Sequence, residues 1–129
     1  MMRLIILFIA MLLLTNCYNV ERNCSDFKTG TFEFNYTVNG TEKTARFIRT
    51  DTLSIDYFED KVDSSSVRWI NDCEFILKTI NPKNNSEKDD IHMKILSTKD
   101  NTYTFEYKRA IKKPNREWRI EKGVAKKIN

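Results

Sequence analysis

The residues with the most distinctive chemistry in this chain are its three cysteines, Cys17, Cys24 and Cys73. Thiols form disulfides or ligate metal ions, and the spacing of the cysteines indicates which disulfides and metal sites can form. No C-x-x-C pair occurs and the chain has one histidine, so we expect no metal site. Three cysteines cannot all pair within one chain. The pattern alone leaves open which two join and what the third does.

The segment before the first cysteine is typical of an export signal. Arg3 follows two methionines, and an unbroken apolar run of 11 residues extends from Leu4 to Leu14. A helix of that length spans roughly 16 Å, about half of the hydrocarbon core of a bilayer. We therefore expect residues 1–16 to be a secretory signal peptide rather than a membrane span.

The end of this segment, Leu14-Thr15-Asn16-Cys17, resembles the lipobox of bacterial lipoproteins, in which the cysteine is lipidated. Leu14, Thr15 and Cys17 match the pattern, and Asn16 stands where it has Gly, Ala or Ser. The resemblance implies that Cys17 anchors the protein to the bacterial cell envelope, at the periplasmic face of the outer membrane, with residues 17–25 as anchor and linker. The alternative is a plain secreted protein with a free thiol at Cys17.

If Cys17 carries lipid, Cys24 and Cys73 remain as an even pair in a compartment where disulfides persist. A disulfide closing a loop of this length stabilises a fold by roughly 4 kcal/mol in the chain-entropy model. Two buried free cysteines are the alternative.

Short runs of alternating polar and apolar residues predict strands through the rest of the chain. The clearest run, residues 31–38, ends at Asn39-Gly40, the strongest signal for a two-residue hairpin turn. That turn places Phe34 opposite Ala45 on one face and Glu33 opposite Arg46 on the other.

Weaker runs complete the expected meander. We expect Leu53, Ile55 and Tyr57 to share an apolar face, a serine-rich loop to follow, and a three-residue loop to pair Trp69 with Phe75 and Val67 with Leu77. A second hairpin is expected over 91–97 and 102–108, and closing strands over 117–121 and 124–128. About eight strands without a helix predict an all-β, antiparallel, up-and-down barrel formed by residues 26–129.

Three stretches, "DFKTGTFEF", "VRWINDCEF" and "MKILSTKDNTYTFEY", resemble a family of short flavobacterial exported proteins. Members are often named DNA topoisomerase IV. That activity requires a nucleophilic tyrosine among arginines and metal-binding carboxylates, whereas the tyrosines here lie on alternating apolar faces. We therefore do not expect topoisomerase activity.

A second resemblance concerns the barrel. Gly30-Thr31-Phe32 is similar to the Gly-x-Trp that opens the first strand of lipocalins. In lipocalins an arginine stacks on that aromatic ring, which makes Arg119 the candidate here. The resemblance implies a lipocalin-like barrel and no particular activity.

The sequence contains no catalytic motif, and we expect neither an enzyme nor a cofactor. His92 is expected on a strand surface, and Asp89-Asp90 lacks the spacing of a calcium loop. The net charge is +4, with basic residues late in the chain interleaved with glutamates, as on a solvated face. We expect no nucleic-acid partner.

The remaining functional signal is a set of aromatic residues, predicted to face either a filled core or a ligand: Phe32, Phe34, Tyr36, Phe47, Tyr57, Trp69, Phe75, Phe105 and Tyr107. An eight-stranded barrel is either filled by such side chains or holds one small apolar ligand. The sequence therefore favours a non-catalytic binding module for a small apolar ligand or lipid. The alternative is an accessory or inhibitor protein whose loops contact another envelope protein.

Overall fold

The computed structural model describes residues 19–129, so the expected signal peptide and the lipidation site Cys17 lie outside the described residues. Each of eight strands pairs antiparallel with the next, and β8 also pairs with β1, which closes a barrel. The predicted all-β up-and-down barrel is confirmed. After a 3₁₀ turn at Cys24–Phe27, the strands are β1 (Gly30–Val38), β2 (Thr41–Arg49), β3 (Leu53–Phe58), β4 (Lys61–Asn71), β5 (Glu74–Thr79), β6 (Ile91–Lys99), β7 (Thr102–Arg109) and β8 (Glu121–Lys127).

The first hairpin has the predicted register. Asn39 and Gly40 both adopt positive φ, 50° and 77°, as a type I′ turn requires. Phe34 lies opposite Ala45. Glu33 accepts a hydrogen bond from Arg46 at 3.0 Å on the outer face.

The hairpin of β4 and β5 has the predicted pairing, but the expected three-residue loop is wrong: a two-residue turn joins the strands, and a bulge between Trp69 and Asn71 sets the register. Trp69 lies opposite Phe75 and Val67 opposite Leu77, so four apolar side chains share the inner face. The loop between these strands carries Cys73, which forms a disulfide with Cys24 of the 3₁₀ turn. The predicted disulfide is confirmed.

Leu53, Ile55 and Tyr57 of β3 share one face as predicted, but the expectation that Tyr57 faces the core or a ligand is wrong. Ser54 lies opposite the buried Arg49 and is itself 3% exposed, so Ser54, Asp56 and Phe58 face the interior. Leu53 and Tyr57 lie on the outer face and are 38% and 39% exposed. The buried Arg49 decides this register, because a guanidinium tolerates a serine beside it better than a leucine.

Two expected boundaries also differ. The serine-rich stretch is part of β4 rather than a loop, and Ser65 is buried in the barrel wall opposite Ser54. Residues 117–120 belong to the loop before β8 rather than to a strand. Trp118 in this loop donates its indole N–H to the backbone oxygen of Arg109 at 3.0 Å, which holds the segment beside the end of β7.

The two ends of the barrel differ in their connections. The end at Gly30 and Arg49, which we call the lower end, carries short turns and the 3₁₀ turn. The opposite, upper end carries the two long loops, residues 80–90 and 110–120. Within the described residues, no helix is both long and apolar enough to cross a membrane.

Candidate ligand-binding site

The lower end of the barrel is filled and closed. Cys24 and Phe27 of the 3₁₀ turn are 2% and 3% exposed and pack on the barrel core. The backbone leading into that turn is tied to β6, because the N–H of Asn23 donates to Thr98 Oγ1 at 2.8 Å. The rings of Phe32 and Tyr103 meet edge to face at 5.6 Å inside this end. We expect no ligand to enter from below.

A buried arginine lies at the centre of this closed end. Arg49 is 3% exposed, and its guanidinium donates to the backbone oxygens of Phe27 at 2.5 Å and Lys28 at 3.1 Å. It also lies 4.8 Å from the ring centres of Phe32 and Phe75. These contacts attach the 3₁₀ turn to the barrel and satisfy a charge that would otherwise be costly to bury.

The arginine stacked on Phe32 is therefore Arg49 and not Arg119. Arg119 lies in the loop before β8 with a side chain that is 87% exposed, and pairs with Glu121 at 3.0 Å. The expectation was wrong because the 110–120 loop ends at the upper end, far along the barrel from Phe32.

The upper half of the interior is lined by aromatic side chains that remain partly exposed. Phe34 and Tyr36 of β1, Phe58 of β3, and Phe105 and Tyr107 of β7 all face inward, yet none of them is fully buried. Tyr36 stacks on Phe58 with ring centres 4.3 Å apart. Phe34 and Phe105 pack against the core below them, whereas Phe58 at the end of β3 is 37% exposed. We call this set of five inward-facing aromatic residues the cup.

Asp56 is a largely buried, inward-facing carboxyl of β3, which lies opposite Phe47 and one inward position above Ser54. Desolvation raises the pKa of Asp56 to about 6, and the nearby Asp63 raises it further, while the charge of Arg49 and a hydrogen bond from Ser54 oppose the rise. The interior therefore disfavours the ionised form of the Asp56 carboxyl.

The rim of the cup is polar. The Tyr107 hydroxyl donates to Glu121 Oε2 at 2.8 Å, and burial together with this carboxylate raises the pKa of Tyr107. Beside this pair, under the loop 110–120, lies a cleft of about 350 Å³. We call it the rim cleft; its lining consists of Ile91, Tyr107, Lys108, Arg109, Ile111, Lys112, Lys113, Arg116, Glu117, Trp118, Arg119 and Glu121.

The aromatic residues predicted from the sequence divide between these two regions. The inner residues of the lower half pack around Arg49, and all but the half-buried Trp69 are buried; they are Phe32, Phe47, Trp69 and Phe75. Four others, Phe34, Tyr36, Phe105 and Tyr107, line the cup. Tyr57 lies on the outer face opposite Arg46 and belongs to neither region.

Sequence reasoning missed Arg49, Asp56 and Phe58. Arg49 continues the inner face of Ala45 and Phe47, so the alternation in β2 carried a signal for its burial. In β3 the alternate residues, Leu53, Ile55 and Tyr57, are more apolar than the set that contains Asp56 and Phe58. The pattern therefore favoured the wrong inner face, which only the pairing of this strand with Arg49 identifies.

The polar residues considered for chemistry lie apart from the cup. His92 lies on the outer side of β6, where its Nε2 is 3.3 Å from Glu74, and its side chain is 18% exposed. Asp89 pairs with Arg109 and Lys113 at 3.1 and 2.7 Å. Among residues 19–129, no group of three His, Cys, Asp or Glu side chains is placed to hold a metal ion.

No protein-family model, no curated protein and no solved structure matches the chain.

Proposed function

We propose that this protein is a non-catalytic binding module, anchored in the cell envelope by a lipid on Cys17, that holds a small apolar ligand or lipid in the cup. The observation that carries the proposal is the contrast between the two halves of one interior. Inward-facing rings below, such as Phe32 and Phe75, are 0% and 1% exposed, while the inward-facing Phe58 above is 37% exposed. An aromatic ring left open inside a barrel is surface that a ligand can cover.

The shape of the interior supports binding rather than catalysis. The Arg49 cluster and the 3₁₀ turn close one end, so a ligand has one entrance. The inner face of the upper half combines these aromatic rings with charged and polar groups, namely Lys43 opposite Tyr36, Lys61 opposite Phe58, Asp63 opposite Asp56, and the Tyr107–Glu121 pair. Ligand sites in proteins are typically apolar concavities with a few polar groups that orient the ligand.

The exposed part of Phe58 sets the scale of the effect. A phenylalanine residue has roughly 200 Å² of surface, of which the 37% exposed fraction is roughly 75 Å². Covering that area contributes about 2 kcal/mol at roughly 25 cal/mol per Å². Truncating this ring should therefore lower the affinity for an apolar ligand by about tenfold or more.

The test compares two neighbouring residues with similar exposure. Phe58→Ala removes a ring from inside the cup, and Tyr57→Ala removes a 39% exposed ring from the outer face of the same strand. Both full-length variants would be titrated with the neutral fluorescent probe N-phenyl-1-naphthylamine. We expect Phe58→Ala to lose about tenfold in affinity and Tyr57→Ala to match the wild type. Equal affinities in the two variants would refute the cup as the binding site.

One observation favours the accessory role as a second candidate. The loop 110–120 exposes three large apolar side chains, Ile111 at 77%, Ile120 at 52% and Trp118 at 44%. A partner protein could bury them. Native mass spectrometry of protein gently extracted from membranes separates the two proposals, because a retained small molecule supports the binding module and a co-purifying polypeptide supports the accessory role.

A further inference from the structure

The rim cleft combines positive charge with apolar surface in one concave site. Its lining includes the exposed side chains of Ile111 and Trp118 together with six basic residues and two glutamates. The basic residues are Lys108, Arg109, Lys112, Lys113, Arg116 and Arg119. A cleft with this excess of cations attracts an anion, and its apolar wall suits a ligand that is not purely ionic.

Part of this positive charge is already neutralised. Asp89 pairs with Arg109 and Lys113, and Glu121 pairs with Arg119. Lys108 places its ammonium group 4.2 Å from the ring centre of Trp118. These contacts hold the loop against the barrel and position the cleft.

Two of the cations stay available to a ligand. Within residues 19–129, neither Lys112 nor Arg116 forms an ion pair, and both side chains border the cleft. An arginine fork and a lysine ammonium are the groups that proteins use to bind phosphate and carboxylate.

The rim cleft adjoins the cup. Tyr107 lines the cleft and also belongs to the cup, where its ring centre is 6.2 Å from that of Phe105 on the same strand face. Glu121, which accepts the Tyr107 hydrogen bond, is likewise an inward residue at the rim. A single elongated ligand can therefore contact both the aromatic cup and the basic cleft.

We infer that the rim cleft binds the anionic head group, a phosphate or carboxylate, of an amphiphile whose apolar chain lies in the cup. This inference rests on the proposed function, since the cup must first hold the chain. Lys112 and Arg116 supply the charge-assisted hydrogen bonds, and Trp118 covers the junction between head group and chain. The cleft therefore selects an anionic amphiphile over a neutral one of equal chain length.

The chain supplies its own reporter for this inference. It has two tryptophans, Trp69 in the closed lower half and Trp118 at the rim cleft. In a full-length Trp69→Phe variant, the fluorescence of Trp118 reports on the rim alone. Dodecyl phosphate, dodecanol and inorganic phosphate would be titrated separately, each amphiphile below its aggregation concentration. Competition against N-phenyl-1-naphthylamine in the wild-type chain repeats the comparison without the tryptophan substitution.

We expect dodecyl phosphate to bind about tenfold more tightly than dodecanol, with a difference that shrinks as salt is added, because loss of charge-assisted hydrogen bonds at a partly exposed site costs on the order of tenfold. Lys112→Gln combined with Arg116→Gln should remove that difference. The matched control, Arg68→Gln with Lys78→Gln, removes the same two residue types from exposed positions on β4 and β5 and should preserve it.

The outcomes separate this inference from the proposed function. Equal binding of dodecyl phosphate and dodecanol would leave the cup intact as a binding site and overturn the head-group site. Binding of neither amphiphile would overturn the proposed function itself. Inorganic phosphate that binds as tightly as dodecyl phosphate would show a site for a free anion. A preference that survives in the Lys112 and Arg116 double variant would place the selectivity elsewhere.

Discussion

Replacing Asp56 by asparagine is expected to stabilise the folded protein at alkaline pH and to leave its stability at acidic pH unchanged. Burial raises the pKa of Asp56 from 3.8 to about 6, so folding favours the protonated, neutral carboxyl. Below the pKa of Asp56 in the unfolded chain, the carboxyl is neutral in both states and its burial carries no charge penalty. As the pH rises through the pKa in the folded protein, the carboxyl ionises and the folded state loses stability. Asparagine is neutral at every pH and has nearly the same shape.

The magnitude follows from the difference between the folded and unfolded pKa values. A rise of about 2 pH units corresponds to a free-energy cost of about 3 kcal/mol for the ionised carboxyl in the folded state. The charged groups that act on Asp56 are Arg49, which reduces this cost, and Asp63, which adds to it. Both effects are included in the shifted pKa. We therefore expect Asp56→Asn to gain up to about 3 kcal/mol at pH ~8 and close to zero at pH ~4.

Urea denaturation at a series of pH values, followed by tryptophan fluorescence, measures this directly. The control is Asp51→Asn, which removes a carboxylate from an exposed position in the loop between β2 and β3. The free-energy difference between Asp56→Asn and wild type should rise with a midpoint between the unfolded and folded pKa values. A difference that is independent of pH, or of the same size in Asp51→Asn, would refute a buried, destabilised carboxyl at Asp56.

Three further outcomes are expected. Replacing Cys24 and Cys73 together by serine should lower the free energy of unfolding by up to ~4 kcal/mol, because the disulfide closes a loop with a sequence separation of 49. Urea denaturation measures this difference, and stability equal to that of the oxidised wild type would contradict it. Arg49→Lys should cost about 2–3 kcal/mol, since a lysine cannot donate to both backbone oxygens while stacking on the rings, whereas Arg68→Lys on the exposed face should cost little in the same assay. Cys17→Ser should move the protein from the membrane fraction to the soluble fraction of cells, and retention in membranes would contradict the lipid anchor.

Much of the fold could be predicted from the sequence because its signals are local. Asn39-Gly40 selects a turn that fixes the pairing of β1 with β2. The apolar alternation of Val67, Trp69 and Phe75 likewise determines the register of β4 against β5. In both hairpins the paired strands are neighbours in the chain, so the residue types on either side of the turn are sufficient to predict the pairing.

Other features required contacts that the sequence does not bring together. The inner face of β3 depends on Arg49, whose burial requires the 3₁₀ turn to place the Phe27 and Lys28 carbonyls against it. The apolar pattern of Leu53, Ile55 and Tyr57 favoured these residues, rather than Ser54 and Asp56, for the inner face. The pattern reflects only hydrophobicity, so it gives no sign that a buried guanidinium on the next strand needs polar neighbours.

The division of the interior was also decided by the tertiary structure. The alternation of residue types was enough to predict that many aromatic residues point into a small barrel. Closure of the sheet then placed Phe32 and Phe75 around Arg49 in the sealed half and left Phe34 and Phe58 at the open half. Position along the barrel axis, rather than residue type, makes one phenylalanine part of the core and another a surface for a ligand. That position depends on which loops and turns cover each end.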